Sequence, residues 1–257
     1  MSSYEKIIIE KRGNVASVII NNPPINIITL KVMDELTDAL KRLIDDPEVR
    51  IVILRPGTKN ICSAGADVKE HLPEMANDLI FKIGNLTKLI ISYPKPTICV
   101  INGKCLGGGM EIFISCDFVI ATKSAELAVP EIKLATMPPI AIALLPKIVG
   151  LRKTYEIVLL GNSINAEEAR NLGLVNFVVD DSELDDFLSK FTNDLLEKSQ
   201  IALNVAKRAI LESHNLDINS AIDHASSLYL NVLAKTYDYT EGLKAFLEKR
   251  KPIFKHS

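Results

Sequence analysis

A chain of 257 residues, 47% hydrophobic and 24% charged, has room for one large domain, or a domain with a helical extension, around a buried core. Its net charge of -2 gives no support to a nucleic-acid partner, which would need a basic face. No window approaches the roughly 18 to 20 continuous apolar residues of a membrane helix, and the first residues lack a basic stretch followed by an apolar one, so neither a membrane nor secretion is expected. Cys62, Cys99, Cys105 and Cys116 are irregularly spaced with no Cys-x-x-Cys pair, which predicts buried reduced thiols in a cytoplasmic setting.

Residues 6–10 and 15–21 are rich in Ile and Val and read as two strands joined by a turn at Arg12-Gly13-Asn14. Leu30, Met33, Leu36, Leu40 and Leu43 recur at helical spacing before Pro47, and 49–54 is a fully apolar strand, suited to cover on both faces. The cycle repeats: a loop over 55–67, a helix over 78–91, a strand over 97–102, a glycine-rich turn, a short helix over 110–115 and a strand over 117–121. A further cycle surrounds 125–129, with helices after Pro139 and Leu151 and a last strand at 174–179. Strands alternating with helices predict parallel pairing in an α/β core. After Asp180 only amphipathic helices are expected, over 184–198, 201–213, 220–233 and 240–249, which puts a boundary near residue 195.

Three segments break local rules, and that is where function tends to lie. Ser63-Ala64-Gly65-Ala66-Asp67 offers small residues that would let a ligand approach the backbone, although on these residues alone a plain loop is the more ordinary reading. In Asn102-Gly103-Lys104-Cys105-Leu106-Gly107-Gly108-Gly109-Met110-Glu111, three glycines end at the start of an apolar helix, which leaves backbone N–H groups for a negative charge or simply permits tight packing. Glu111 sits among Met110, Ile112, Phe113 and Ile114, where burial would raise its pKa into the range useful for moving protons at neutral pH. Glu131, in Val129-Pro130-Glu131-Ile132, is either a capping residue or a second carboxylate between apolar segments. Asp117 reads as structural, and His71, His214, His224 and His256 lack metal-ligand spacing.

Those three segments, with Glu111 and Glu131 twenty residues apart, resemble the signatures of the crotonase (enoyl-CoA hydratase/isomerase) superfamily, and the likeness runs to Phe246-Leu-Glu-Lys-Arg-Lys-Pro-Ile-Phe254. The resemblance implies a ββα superhelix, with an active-site core over 1–195 and a C-terminal helical region over 196–257 that builds a homotrimer or homohexamer. It implies an acyl-coenzyme A substrate, no metal and no cofactor beyond the coenzyme A of the substrate. It puts the oxyanion hole on the N–H groups of Ala66 and Gly108, the acid/base pair on Glu111 and Glu131, and the coenzyme A path along Ala64, Asp67, Val68 and Lys69. Two carboxylates favour a hydratase over an enoyl-CoA isomerase or a non-catalytic RNA-binding relative. One departure stands out: the family's glycine-rich turn is here Met137-Pro138-Pro139-Ile140-Ala141-Ile142-Ala143, and Pro139 has no N–H to offer a water. With Asn22-Pro-Pro-Ile-Asn26 and Val68-Lys-Glu-His71, it resembles the cyclohexa-1,5-diene-1-carbonyl-CoA hydratases.

Overall fold

The computed structural model describes residues 4–256. Ile7–Arg12 (β1) and Val15–Ile20 (β2) pair antiparallel around Gly13, whose φ of 56° suits glycine at the turn. Helix α1, Leu30–Asp45, starts where the Thr29 side chain accepts the Val32 N–H, and it buries Val32, Met33, Leu36, Leu40 and Leu43 along one face. Then comes β3, Ile51–Pro56, buried along its first four residues, as its unbroken apolar run requires.

Beyond β3 the elements are β4 (Ile61–Ser63), α2 (Ala76–Ile91), β5 (Thr97–Ile101), β6 (Lys104–Leu106), α3 (Gly107–Phe113), β7 (Phe118–Thr122), β8 (Glu126–Ala128), α4 (Pro139–Ile148), α5 (Leu151–Leu160), β9 (Ile164–Asn165), α6 (Ala166–Asn171) and β10 (Phe177–Val179). They make two sheets: six strands in the order β1-β2-β3-β5-β7-β10, and four in the order β4-β6-β8-β9. Only β1–β2 and β8–β9 pair antiparallel. From β3 to β8 the chain alternates between the two sheets, the repeating ββα winding of an α/β superhelix. Two strands of the second sheet, β4 and β6, fall in segments expected to be a loop (55–67) and a glycine-rich turn. Strands of three residues are too short to show a periodicity. The last strand is also shorter than expected, because the N–H groups of Leu174 and Val175 turn back to the Ala169 carbonyl.

All later elements are helical: α7 (Leu184–Leu196), α8 (Gln200–Ser213), α9 (Ile218–Asn231) and α10 (Tyr237–Leu247). The last three begin one to three residues earlier than the apolar periodicity indicates, because Ser199, Asp217 and Thr236 cap them. The chain divides into two compact units, one holding the residues up to Ile91 with Thr97–Leu188, the other Ser92–Pro96 with the chain from Ser189 on. Within the second unit, buried Asp238 accepts the N–H groups of Lys255 and His256 and the Ser199 hydroxyl, which ties the C-terminal segment to α10. Among the described residues no helix is long and apolar enough to cross a membrane. Cys62, Cys99 and Cys105 are buried and Cys116 is half-buried.

Candidate active site

Strands β4, β6 and β8 are neighbours in the smaller sheet and run parallel, and each hands on to one of the three rule-breaking segments. After β4, residues 64–67 run beside 25–28: Ile28 N–H donates to the Gly65 carbonyl (2.9 Å) and Asp67 N–H to the Ile28 carbonyl (3.1 Å). Ala66 is the residue opposite Ile28 in this parallel bridge, so its own N–H points to the other edge. That edge faces Gly108: a Cβ built on Gly108 would lie 3.2 Å from the Ala66 Cβ and 3.5 Å from its nitrogen. Gly108 is the second residue of α3, whose opening N–H groups have no intrahelical partner. The three glycines therefore form the first turn of α3 instead of preceding it, and the Ala66 and Gly108 backbones lie side by side.

On the next turn of α3, Glu111 is 2% exposed. Its Oε1 accepts the N–H groups of Ile140 (2.8 Å) and Ala141 (2.9 Å) in the opening turn of α4. Pro139 is the first residue of that helix, a position where a missing N–H does no harm, so the first two donors that α4 possesses both go to Glu111. Burial nonetheless pushes Glu111 up to about 7; the two N–H donors act against the rise and the nearby charge of Glu131 adds to it. Glu131 lies on the 3-10 turn Pro130–Leu134 that follows β8, closed by Ala135 in the left-handed region. Burial raises its pKa too, with His71 opposing. Its Oε2 is shut off from solvent and takes no hydrogen bond among the described residues. Gly107, with φ of 49°, passes so close that a Cβ there would sit 2.5 Å from Glu131 Oε1.

The remaining expected residues lie around this centre. Ala64 is half-buried and donates its N–H to the Ile25 carbonyl, Asp67 caps the 3-10 turn Val68–His71 through the Lys69 N–H, and Val68 and Lys69 are exposed. Pro139 and Ile140 are half-buried, whereas Ile142 faces outward at 39% exposure. Asp117 is structural, as expected: it accepts the Thr97 N–H while its own N–H donates to the Thr97 hydroxyl, pinning the start of β5 to that of β7. Among the described residues no three His, Cys, Asp or Glu side chains are grouped to hold a metal. Sequence reasoning missed the Ile140 and Ala141 donors and the closeness of Gly107 to Glu131. Pro138-Pro139 signals a helix start, but nothing in the linear order says which side chain that start will meet.

The family model for enoyl-CoA hydratase/isomerase matches residues 10–257. The crotonyl-CoA hydratase of Syntrophomonas wolfei is 34% identical over 257 residues, 98% of this chain and 98% of its own. The cyclohexa-1,5-dienecarbonyl-CoA hydratase of Thauera aromatica is 30% identical over 249 residues, 97% of this chain and 96% of its own. Among solved structures, the enoyl-CoA hydratase from Bacillus anthracis matches with a TM-score of 0.93 at 31% identity, covering 98% of this chain and 100% of that one. Three ordered motifs, the two-sheet winding that joins them and a match over nearly the whole length agree: the chain belongs to the enoyl-CoA hydratase/isomerase (crotonase) family.

Proposed function

We propose that this protein adds water reversibly across the double bond of an α,β-unsaturated coenzyme A thioester. The observation that carries the reading is a pair of carboxylates, Glu111 and Glu131, both raised by burial and electrostatically coupled, beside the Ala66 and Gly108 backbones. As water attacks the β-carbon, negative charge moves to the thioester oxygen. The N–H groups of Ala66 and Gly108 stabilise that charge, each donor contributing about 3 kcal/mol. Glu111, whose anion is favoured by two N–H donors, takes the proton from water. Glu131, whose Oε2 has no donor, delivers a proton to the α-carbon. Each turnover leaves Glu111 protonated and Glu131 ionised; Glu111 releases one proton to solvent and Glu131 takes one up before the next, and dehydration runs the same path backwards.

Within this chemistry the preferred acyl group is a cyclic dienoyl thioester. Support comes from Pro139, which removes a backbone donor immediately beside the Glu111 ligands Ile140 and Ala141, so the altered turn is at the site and not remote from it. The relative from Thauera aromatica bears such a substrate in its name. A rigid ring can be positioned by apolar contact where a flexible chain is held less well. Coenzyme A would pass Ala64, Asp67, Val68 and Lys69, and the enzyme would assemble as a homotrimer or homohexamer. The test is turnover of crotonyl-CoA, cyclohexa-1,5-diene-1-carbonyl-CoA and a 3-enoyl-CoA in parallel. Hydration of the first two, faster for the ring, is expected. Isomerisation of the 3-enoyl thioester without any hydration would overturn the proposal.

A further inference from the structure

Behind the paired backbones of Ala66 and Gly108 runs a relay of buried side-chain hydrogen bonds in which neither carboxylate takes part. Asn26 is fully buried, with φ of 48°. Its Oδ1 accepts the Asn22 N–H (2.9 Å), and its Nδ2 donates to Thr58 Oγ1 (2.8 Å) and to the Cys62 carbonyl (3.2 Å). Thr58 in turn donates its hydroxyl to the Ile61 carbonyl. The Asn26 carbonyl accepts the hydroxyl of Ser63 (2.7 Å), also fully buried, and Ser63 Oγ accepts the Gly65 N–H (3.1 Å). One hydroxyl thus uses its single proton on the turn at Asn26 and a lone pair on the loop that follows β4. On its remaining side Ser63 abuts α3: a Cβ at Gly109 would meet Ser63 Cβ and Oγ at 2.4 Å each.

Ser63 therefore touches the residue before Ala66, by a hydrogen bond to Gly65, and the residue after Gly108, by packing on Gly109. Asn26 fixes Ser63 through its own carbonyl and anchors the preceding residue of β4, Cys62, through its side chain. We propose that Ser63 and Asn26 are positioning residues of the oxyanion hole, setting the Ala66 N–H against the Gly108 N–H so that both meet one thioester oxygen. The inference rests on the hydratase reading above. Neither side chain contacts the reacting atoms; each acts through the backbone it holds.

The experiment pairs kinetics on crotonyl-CoA with the ultraviolet spectrum of bound cinnamoyl-CoA, whose conjugated thioester absorbs at longer wavelength when donors draw charge onto its carbonyl oxygen. Ser63→Ala is expected to lower kcat about tenfold to a hundredfold, the scale of a small misplacement, with KM within about twofold. The red shift of the bound probe should shrink by about half, in proportion to the donor that drifts away. Thr58→Val is read in parallel, because it loosens Asn26 from the half-buried far end of the relay and does not depend on Ser63→Ala folding; it should move kcat and red shift together to a smaller extent. Folded variants with wild-type kcat and red shift overturn the proposal, and so does a lost kcat with the red shift intact. A wild type that neither hydrates crotonyl-CoA nor shifts the probe overturns the hydratase reading itself, and this proposal with it.

Discussion

Gly107 and Glu131 are in contact across the turn from β6 into α3, with only the missing side chain of the glycine leaving room for the carboxylate. Gly107→Ala would place a methyl 2.5 Å from Glu131 Oε1 at a φ of 49°, so the carboxylate must move. The left-handed backbone adds a penalty of about 1 kcal/mol for a residue with a Cβ. We expect kcat to fall at least about a hundredfold, the worth of a displaced acid or base, with a lowered melting temperature. Gly84→Ala, in the middle of α2 with open space around its Cβ, serves as the control and should leave turnover unchanged.

Glu111→Gln and Glu131→Gln should each reduce kcat at least about a hundredfold. Near-normal turnover in a folded variant would remove that residue from the mechanism.

Glu111 also links pH to stability. Its folded value of about 7 exceeds its ordinary 4.5, so between these values the folded chain binds more protons than the unfolded one. Burial of Glu111 therefore weakens the fold as pH rises from about 4.5 to about 7, levelling at about 3 kcal/mol above that range. Urea unfolding should find Glu111→Gln more stable than wild type at pH 8, with the advantage gone by pH 4. An advantage of equal size at both pH values would show that the buried charge is not its source.

Pro139→Gly restores an N–H beside the two that Glu111 already occupies. It should raise kcat/KM for crotonyl-CoA relative to the cyclic dienoyl thioester by about tenfold, the value of one well-placed donor to water. An unchanged ratio would relieve Pro139 of any role in specificity.

Ile210, Ile218, Ile222, Leu230, Phe246 and Leu247 leave between 57% and 83% of their surface in solvent on α8, α9 and α10. The proposed homotrimer or homohexamer would cover these side chains. Light scattering should give three or six times the 28.3 kDa of one chain, and Phe246→Asp with Ile210→Asp should shift it toward the monomer.

The candidate site residues were legible in the sequence for a reason visible in the structure. Glu111 stands out because a carboxylate within Met110–Ile114 has no solvent to face, and the three glycines stand out because Gly107, Gly108 and Gly109 each have a neighbour where a Cβ would go. The larger sheet was legible as well, since β3 and β5 are built on apolar runs at 51–54 and 98–101. The smaller sheet was not: Lys104–Leu106 has one exposed, one buried and one half-buried residue, and its identity as a strand comes from the strands on either side. The partners of Glu111 were hidden for the same kind of reason. Backbone N–H groups carry no sequence signature, and Ile140 and Ala141 lie 29 and 30 residues away.

That smaller sheet also bears on how the protein comes to be active. Its strands β4, β6 and β8 start at residues 61, 104 and 126, and parallel neighbours so far apart in sequence must close long loops before they make any contact. Only Gly108 and Glu111 share one local element, α3; the rest of the centre cannot preform as a hairpin or a single helix can. Ala66, Glu111 and Glu131 come into register only when three successive turns of the winding have closed on one another. On dilution from denaturant, helical circular dichroism should therefore recover first, and turnover should lag behind it.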